Sequence, residues 1–173
     1  DFTTGVSINN LSLNENDIGE FKTFLKVSPP LRTEEDRLAL IDAINKNLID
    51  VIVSDHKPED EESKRLTFSQ AATGASGIET LLSLSLELFH NGSIKLNQII
   101  KLLTSNPANI LNIDKGNLSV GNDADFCIVD LYKPWVVKEE KMNSKSKNTC
   151  IDGKKLQGIV TNTFVKGEEL FKI

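Results

Sequence analysis

Cysteine and histidine are both scarce in this 173-residue chain, and each scarcity excludes something. Two cysteines, Cys127 and Cys150, are too few for a disulfide scaffold. They suit a reducing cytosol, so a cytoplasmic protein is expected. Two histidines, His56 and His90, cannot by themselves supply the three or four ligands of a His-rich metal site. Long apolar runs are missing too: none approaches the ~20 residues of a bilayer-spanning helix, and no secretory signal pattern opens the chain. There is no basic cluster. With 20 basic and 25 acidic side chains and a net charge of −5, neither nucleic acid nor a membrane surface is an expected partner. An initiator Met is also lacking, and Asp1 leads straight into strand-like sequence, so a piece of a longer protein is expected.

What is present is a globular composition, with 39 % hydrophobic and 26 % charged residues. That is enough for one sizeable core or two modest ones. Residues 2–13 are short and β-rich around Val6 and Ile8, and Asn14-Glu15-Asn16-Asp17 then reads as a loop or helix start. Pro29-Pro30 demands a rigid extended loop. Thr33 is a good N-cap, with Asp36 at the capping-box position, for a helix whose apolar face is Leu38, Ile41, Ile44 and Leu48. Ile49-Asp50-Val51-Ile52-Val53 follows, a β-branched run of the kind buried on both faces of a parallel sheet. A helix over about 77–89 is apolar on nearly every side and needs heavy burial. Leu96, Ile99, Ile100 and Leu103 mark the next helix, and Asn106-Pro107 caps and starts a short one. From Gly116 onward the signals are strands, at 126–129, 135–137, 158–165 and 169–171, with Lys166-Gly167 as a tight turn. Residues 141–148 read as a solvated, lysine-bearing loop.

Alternating strands and helices specify an α/β fold. Residues 1–113 hold about two strands' worth of it, and residues 114–173 form a β-rich tail. A full (β/α)₈ barrel takes about 250 residues. The first region is therefore either a small open α/β domain or the last quarter of a barrel.

Asp55 ends the buried strand, at the edge where α/β barrels place catalytic groups. A carboxylate there can ligate a metal or handle a proton. It can equally cap the turn that follows. His56 points to the opposite face of the strand from Asp55, which suits a packing or supporting role. His90 suits a helix C-terminus. Cys127 alternates within a strand as a core thiol, and Cys150 carries no partner signal. Arg32 could hold a carboxylate bidentately, or tie its loop to Glu34 or Asp36.

Three blocks in order, Ser28-Pro29-Pro30-Leu31-Arg32, then Val53-Ser54-Asp55-His56-Lys57-Pro58, then Gly77-Ile78-Glu79-Thr80, resemble dihydroorotases of the amidohydrolase superfamily. Asn106-Pro107-Ala108, Val120-Gly121-Asn122-Asp123-Ala124-Asp125-Phe126 and residues 144–149 extend the resemblance over essentially the whole chain. It implies the C-terminal part of a metal-dependent (β/α)₈ TIM barrel, from about strand seven, followed by a small β-sandwich segment. It further implies a Zn²⁺-dependent hydrolase interconverting dihydroorotate and carbamoyl-aspartate in pyrimidine synthesis. Asp55 would be both metal ligand and general base and acid, while Ser28, Glu59, Thr73 and Gly74 would occupy substrate-binding positions. The other metal ligands belong to earlier barrel strands, so the missing N-terminal barrel portion is an expected partner, and this chain alone is expected to be inactive. Ser28 stands where the family often has Asn, Glu59 where it often has His, and Thr73 where an aromatic is common. Two further readings stay open. One is a non-catalytic subunit, in a homodimer or with aspartate transcarbamoylase; the other is a sister cyclic amidohydrolase of the hydantoinase or allantoinase kind. Alone, the chain is expected to expose a large apolar surface and to associate.

Overall fold

The computed structural model describes residues 2–173. Its first strand, β1 (Gly5–Ser7), turns directly into a short helix, α1 (Ile8–Ser12). The β-rich reading of residues 2–13 missed that helix. Its cause is local: the Ser7 hydroxyl accepts the Asn9 N–H at 3.3 Å, and Ile8 and Leu11, three apart, are both fully buried. Two single-turn 3₁₀ segments and the Pro29-Pro30 loop then lead to α2 (Glu34–Asn45). The expected capping box is present, with Thr33 Oγ1 accepting the Asp36 N–H at 3.1 Å.

The buried face of α2 is narrower than its spacing suggested. Ile41 and Ile44 are buried, but Leu38 is 52 % and Leu48 62 % exposed. At 3.6 residues per turn Leu38 lies about 110° from the centre of the face formed with the half-buried Leu40. Leu48 falls beyond the helix, after a left-handed Asn47. Arg32 pairs with neither Glu34 nor Asp36: Arg37 holds Glu34 at 2.6 Å, and Asp36 is spent on the cap.

Strand β2 (Val51–Val53) pairs in parallel with β1, Gly5 to Val51 through Ser7 to Val53. The parallel pairing agrees with the sequence; burial on both faces does not. Ile52 is buried, whereas Val53 is 43 % exposed, because among the described residues the sheet has two strands and one covered face.

After a one-turn α3 (Glu61–Lys64) come α4 (Leu81–His90), α5 (Leu96–Leu103) and α6 (Ser105–Ile110). The cap of α6 is Thr104, two residues earlier than expected. Asn106 is occupied elsewhere: its side-chain amide donates to the Asp50 carbonyl at 2.8 Å, tying α6 to the approach to β2.

The remainder is an antiparallel sheet in the order β3 (Phe126–Val136), β4 (Lys155–Val165), β5 (Glu168–Lys172). The two strand segments read between 126 and 137 are one strand, interrupted by register shifts between Ile128 and Val129 and between Asp130 and Pro134, the second of which accommodates Pro134. Lys166 and Gly167, both with positive φ, make the expected tight turn. Cys127 is exposed rather than a core thiol, since nothing among the described residues covers it on β3. One apolar cluster runs through both regions, joining Ile8, Ile52 and Leu84 to Val137, Ile151 and Leu156. No helix among the described residues is long and apolar enough to cross a membrane.

Candidate functional site

Beyond β2 the backbone turns sharply. Asp55 adopts φ +48°, a left-handed conformation that Asp tolerates better than most residues. Its carboxylate enters no ion pair among the described residues and is partly exposed. The chain after it, residues 54–57, runs beside residues 74–77, closer than side chains allow. A Cβ on Gly74 would sit 2.5 Å from the Lys57 carbonyl oxygen, and one on Gly77 2.6 Å from that of Ser54. His56 bridges to Ala75 in parallel fashion, and the Lys57 N–H donates to the Ala75 carbonyl at 2.9 Å. Glycine at 74 and 77 is what permits this contact.

His56 lies beyond the end of β2 and past the left-handed Asp55, so strand alternation does not set its direction; its contacts are with the neighbouring loop. Its Nδ1 accepts the N–H groups of Gly77 and Ile78 at 3.2 and 3.3 Å, which leaves Nε2 to carry the proton of the neutral ring. His90 closes α4, with Nε2 donating to the Leu131 carbonyl at 3.0 Å.

Around these loops lies a buried polar network that the sequence reading placed in solvent. Asn148, 2 % exposed, donates from Nδ2 to the Gly74 carbonyl at 3.1 Å and accepts the Glu59 N–H on Oδ1 at 3.2 Å. Its backbone carbonyl accepts the Ser76 N–H at 3.0 Å. The Ser76 hydroxyl, in turn, donates to the Ser146 carbonyl at 2.9 Å. Glu79 receives the N–H groups of Asn143 and Ser144 at 3.0 and 2.9 Å and the Asn143 amide at 2.9 Å. Burial alone would raise this carboxyl, but the three donors outweigh it and hold it below its ordinary range. Residues 141–148 are therefore not a free solvated loop. The available signal was the small-residue stretch 69–77, which has no bulk of its own and must pack backbone against a partner segment.

Of the other candidate residues, Ser28 is exposed and Thr73 half-buried, while Gly74 is buried. Glu59 is paired with Lys57 at 3.6 Å. The 28–31 loop is anchored by Asn10, whose amide donates to the Pro30 carbonyl at 3.0 Å. A cleft of about 800 Å³ is lined by His56, Glu59, Ser144, Ser146, Lys147 and Asn148 among others. A second, of about 630 Å³, lies beside Phe24 and Cys150 and holds none of the candidate residues. Cys150 is held inert there: burial pushes its thiol up to about 12, and Sγ donates to the Phe24 carbonyl at 3.1 Å.

Residues 8–170 of this chain match the Amidohydrolase family. The chain belongs to that family. Its amidohydrolase relatives include the dihydroorotase of Wolbachia sp. subsp. Drosophila simulans (strain wRi), 40 % identical over 169 residues that make up 98 % of this chain and 38 % of that protein. The dihydroorotase of Aquifex aeolicus (strain VF5) is 39 % identical over 170 residues, 98 % of this chain and 40 % of that one. Among solved amidohydrolase structures, the L-hydantoinase (dihydropyrimidinase) from Arthrobacter aurescens superposes with a TM-score of 0.90 at 30 % identity, over 98 % of this chain and 39 % of its own. The dihydropyrimidinase from Brevibacillus agri NCHU1002 shares the fold, with a TM-score of 0.89 at 23 % identity. The chain thus spans about two-fifths of the length of the relatives it matches.

Amidohydrolase membership implies a metal cofactor. Among the described residues, no three His, Cys, Asp or Glu side chains converge on a point that could hold one. The described residues do not by themselves make such a site.

Proposed function

We propose that this chain is the C-terminal part of a dihydroorotase-like cyclic amide hydrolase, acting on dihydroorotate and carbamoyl-aspartate in pyrimidine synthesis. The observation that carries the reading is the identity of about 40 % to dihydroorotases along 98 % of the chain. In this reading residues 1–113 are the last part of a TIM barrel, about strands seven and eight, and residues 114–173 belong to a β-sandwich. The remaining barrel strands come from another part of the same protein or from a partner chain, and they bring the remaining ligands for zinc. Asp55 takes a proton from the water that adds to the ring carbonyl and returns it to the amide nitrogen that departs, so Asp55 ends as it began, while the second proton of the water is released as the new carboxyl group ionises. Ser28, Thr73 and Gly74 line the substrate; Glu59, neutralised in part by Lys57, borders it.

The test is turnover of dihydroorotate by an assembly holding both this chain and the upstream barrel. Asp55→Asn should lower kcat by about 10²–10⁴-fold. Hydantoin is the informative control, because the fold is shared with an L-hydantoinase at 30 % identity. Turnover of hydantoin without dihydroorotate would replace the proposed substrate and keep the reaction class.

A further inference from the structure

Lys64 is the largest side chain in the molecule removed entirely from solvent. A buried ammonium is costly unless its three protons are met. Among the described residues no carboxylate meets them. Nζ donates instead to three backbone carbonyls: Ala72 at 2.9 Å, Gly74 at 2.9 Å and Lys26 at 3.3 Å. Burial holds the ammonium below its ordinary range, so its fold position is bought against desolvation by those carbonyls.

The acceptors lie on two separate segments. Lys26 precedes Ser28 by two residues, and Ala72 and Gly74 flank Thr73. The same segments meet again where the Gly74 N–H donates to the Lys26 carbonyl at 2.9 Å. Lys26 repeats the device, its own Nζ donating to the Ser69 and Ala71 carbonyls at 2.9 and 2.7 Å. Residues 69–74 belong to no helix or strand, so two ammonium groups supply donors that a ladder would otherwise provide.

We propose that Lys64 is a positioning residue: it clamps the loop that carries Ser28 to the loop that carries Thr73 and Gly74, and so sets the width of the substrate wall between them. The clamp follows from the geometry; its consequence for substrate rests on the dihydroorotase-like reading above. An arginine could not replace it, because a planar fork does not fit three carbonyls arranged around a point.

The experiment compares wild type with Lys64→Met and Lys64→Gln in the complete protein. Methionine keeps the length and removes every donor; glutamine restores two. Amide exchange in segments 24–28 and 71–75 should rise at least about tenfold in Lys64→Met, with α5 unchanged and Lys64→Gln intermediate. For dihydroorotate, KM should rise about tenfold or more while kcat moves less than about threefold, the split expected of a loosened binding wall rather than a damaged reacting group. Unchanged exchange in both variants overturns the clamp. Faster exchange with KM unmoved overturns its bearing on substrate. If wild type does not turn over dihydroorotate, the functional reading fails, and the exchange comparison still decides the clamp. Should the variants not fold, amine acylation of wild type decides it: Lys64 must label at least about tenfold more slowly than Lys57 and in step with exchange at Gly74. Labelling at the rate of Lys57 overturns it.

Discussion

Two seams join the antiparallel sheet to the α/β region, and they are built from opposite materials. At the first, α4 lies against β4: the buried Leu86 packs beside Gly158, and the backbone of β4 comes close enough for the Ser83 hydroxyl to donate to the Gly158 carbonyl at 2.6 Å. The second, where residues 142–149 meet residues 59–79, is tied by hydrogen bonds of Asn148, Ser76, Ser146 and Glu79. An apolar seam tolerates small shifts, because dispersion and burial have no direction. A buried polar seam holds one geometry or loses most of its worth, since each unpartnered group costs its full desolvation. The candidate site loops, 54–59 and 72–77, are attached to the polar seam. Rigid placement of those loops follows from hydrogen-bond direction and not from hydrophobic area.

The largest effect should come from closing the space at the apolar seam. A Cβ at Gly158 would fall 2.3 Å from Leu86 Cδ1, and the residue has φ +94°. Gly158→Ala therefore meets both overpacking and backbone strain, and should cost about 2–4 kcal/mol, read as a lower urea midpoint with an unchanged slope. A shift within error would mean that Leu86 has a free rotamer and that the seam is looser than it looks.

Asn148→Ala should come next. It takes the acceptor from the Glu59 N–H and leaves the Gly74 carbonyl with the Lys64 ammonium alone, and should cost about 1–3 kcal/mol. The sharper readout is location: exchange should accelerate at residues 59 and 74–76, while α4 and β4 keep their protection. Uniform acceleration across both seams would show that they do not act as separate units.

The two seams also differ in how well the sequence announces them. The apolar one was legible, because α4 is apolar on most sides and strands at 158–165 and 169–171 are marked by alternation and by the Lys166-Gly167 turn. The capping box of α2 was legible because it depends on neighbours in sequence, and the Val51–Val53 strand because its β-branched run marks it, though its partner is distant. The polar seam was not. Ser144, Ser146 and Asn148 have the composition of a solvated loop, and only partners about seventy residues away make them interior. Lys64 follows an acidic run and reads as surface; the carbonyls that bury it lie in other segments. Cys127 and Val53 failed in the opposite sense. Their alternation is that of covered strands, but periodicity says which face a residue occupies and not whether anything lies on it. Asp55 was found at its strand end, though its left-handed turn was not foreseeable from a β-branched run.

Acid should separate the seams with the smallest perturbation. The Glu79 carboxyl titrates below its ordinary value of 4.5 in the folded chain, since its oxygens accept from Asn143 and Ser144 against the opposing push of burial. A depressed carboxyl contributes stability that is complete above the unfolded value and is lost as pH falls through the folded one. The window thus opens below about pH 4.5 and deepens toward the lower folded value. Glu79→Gln removes the titration while keeping one acceptor oxygen, so the variant starts less stable at neutral pH and loses less on acidification. Melting temperatures of the two proteins should converge between pH 5.5 and pH 3.5, by roughly the few degrees that ~1 kcal/mol moves a domain of this size. Parallel curves would mean that the 143–144 segment is held by Asn148 and Ser76 alone, with Glu79 a bystander at the rim. Convergence would make Glu79 the point at which the polar seam, and with it the loop bearing Gly74, can be loosened without touching the apolar one.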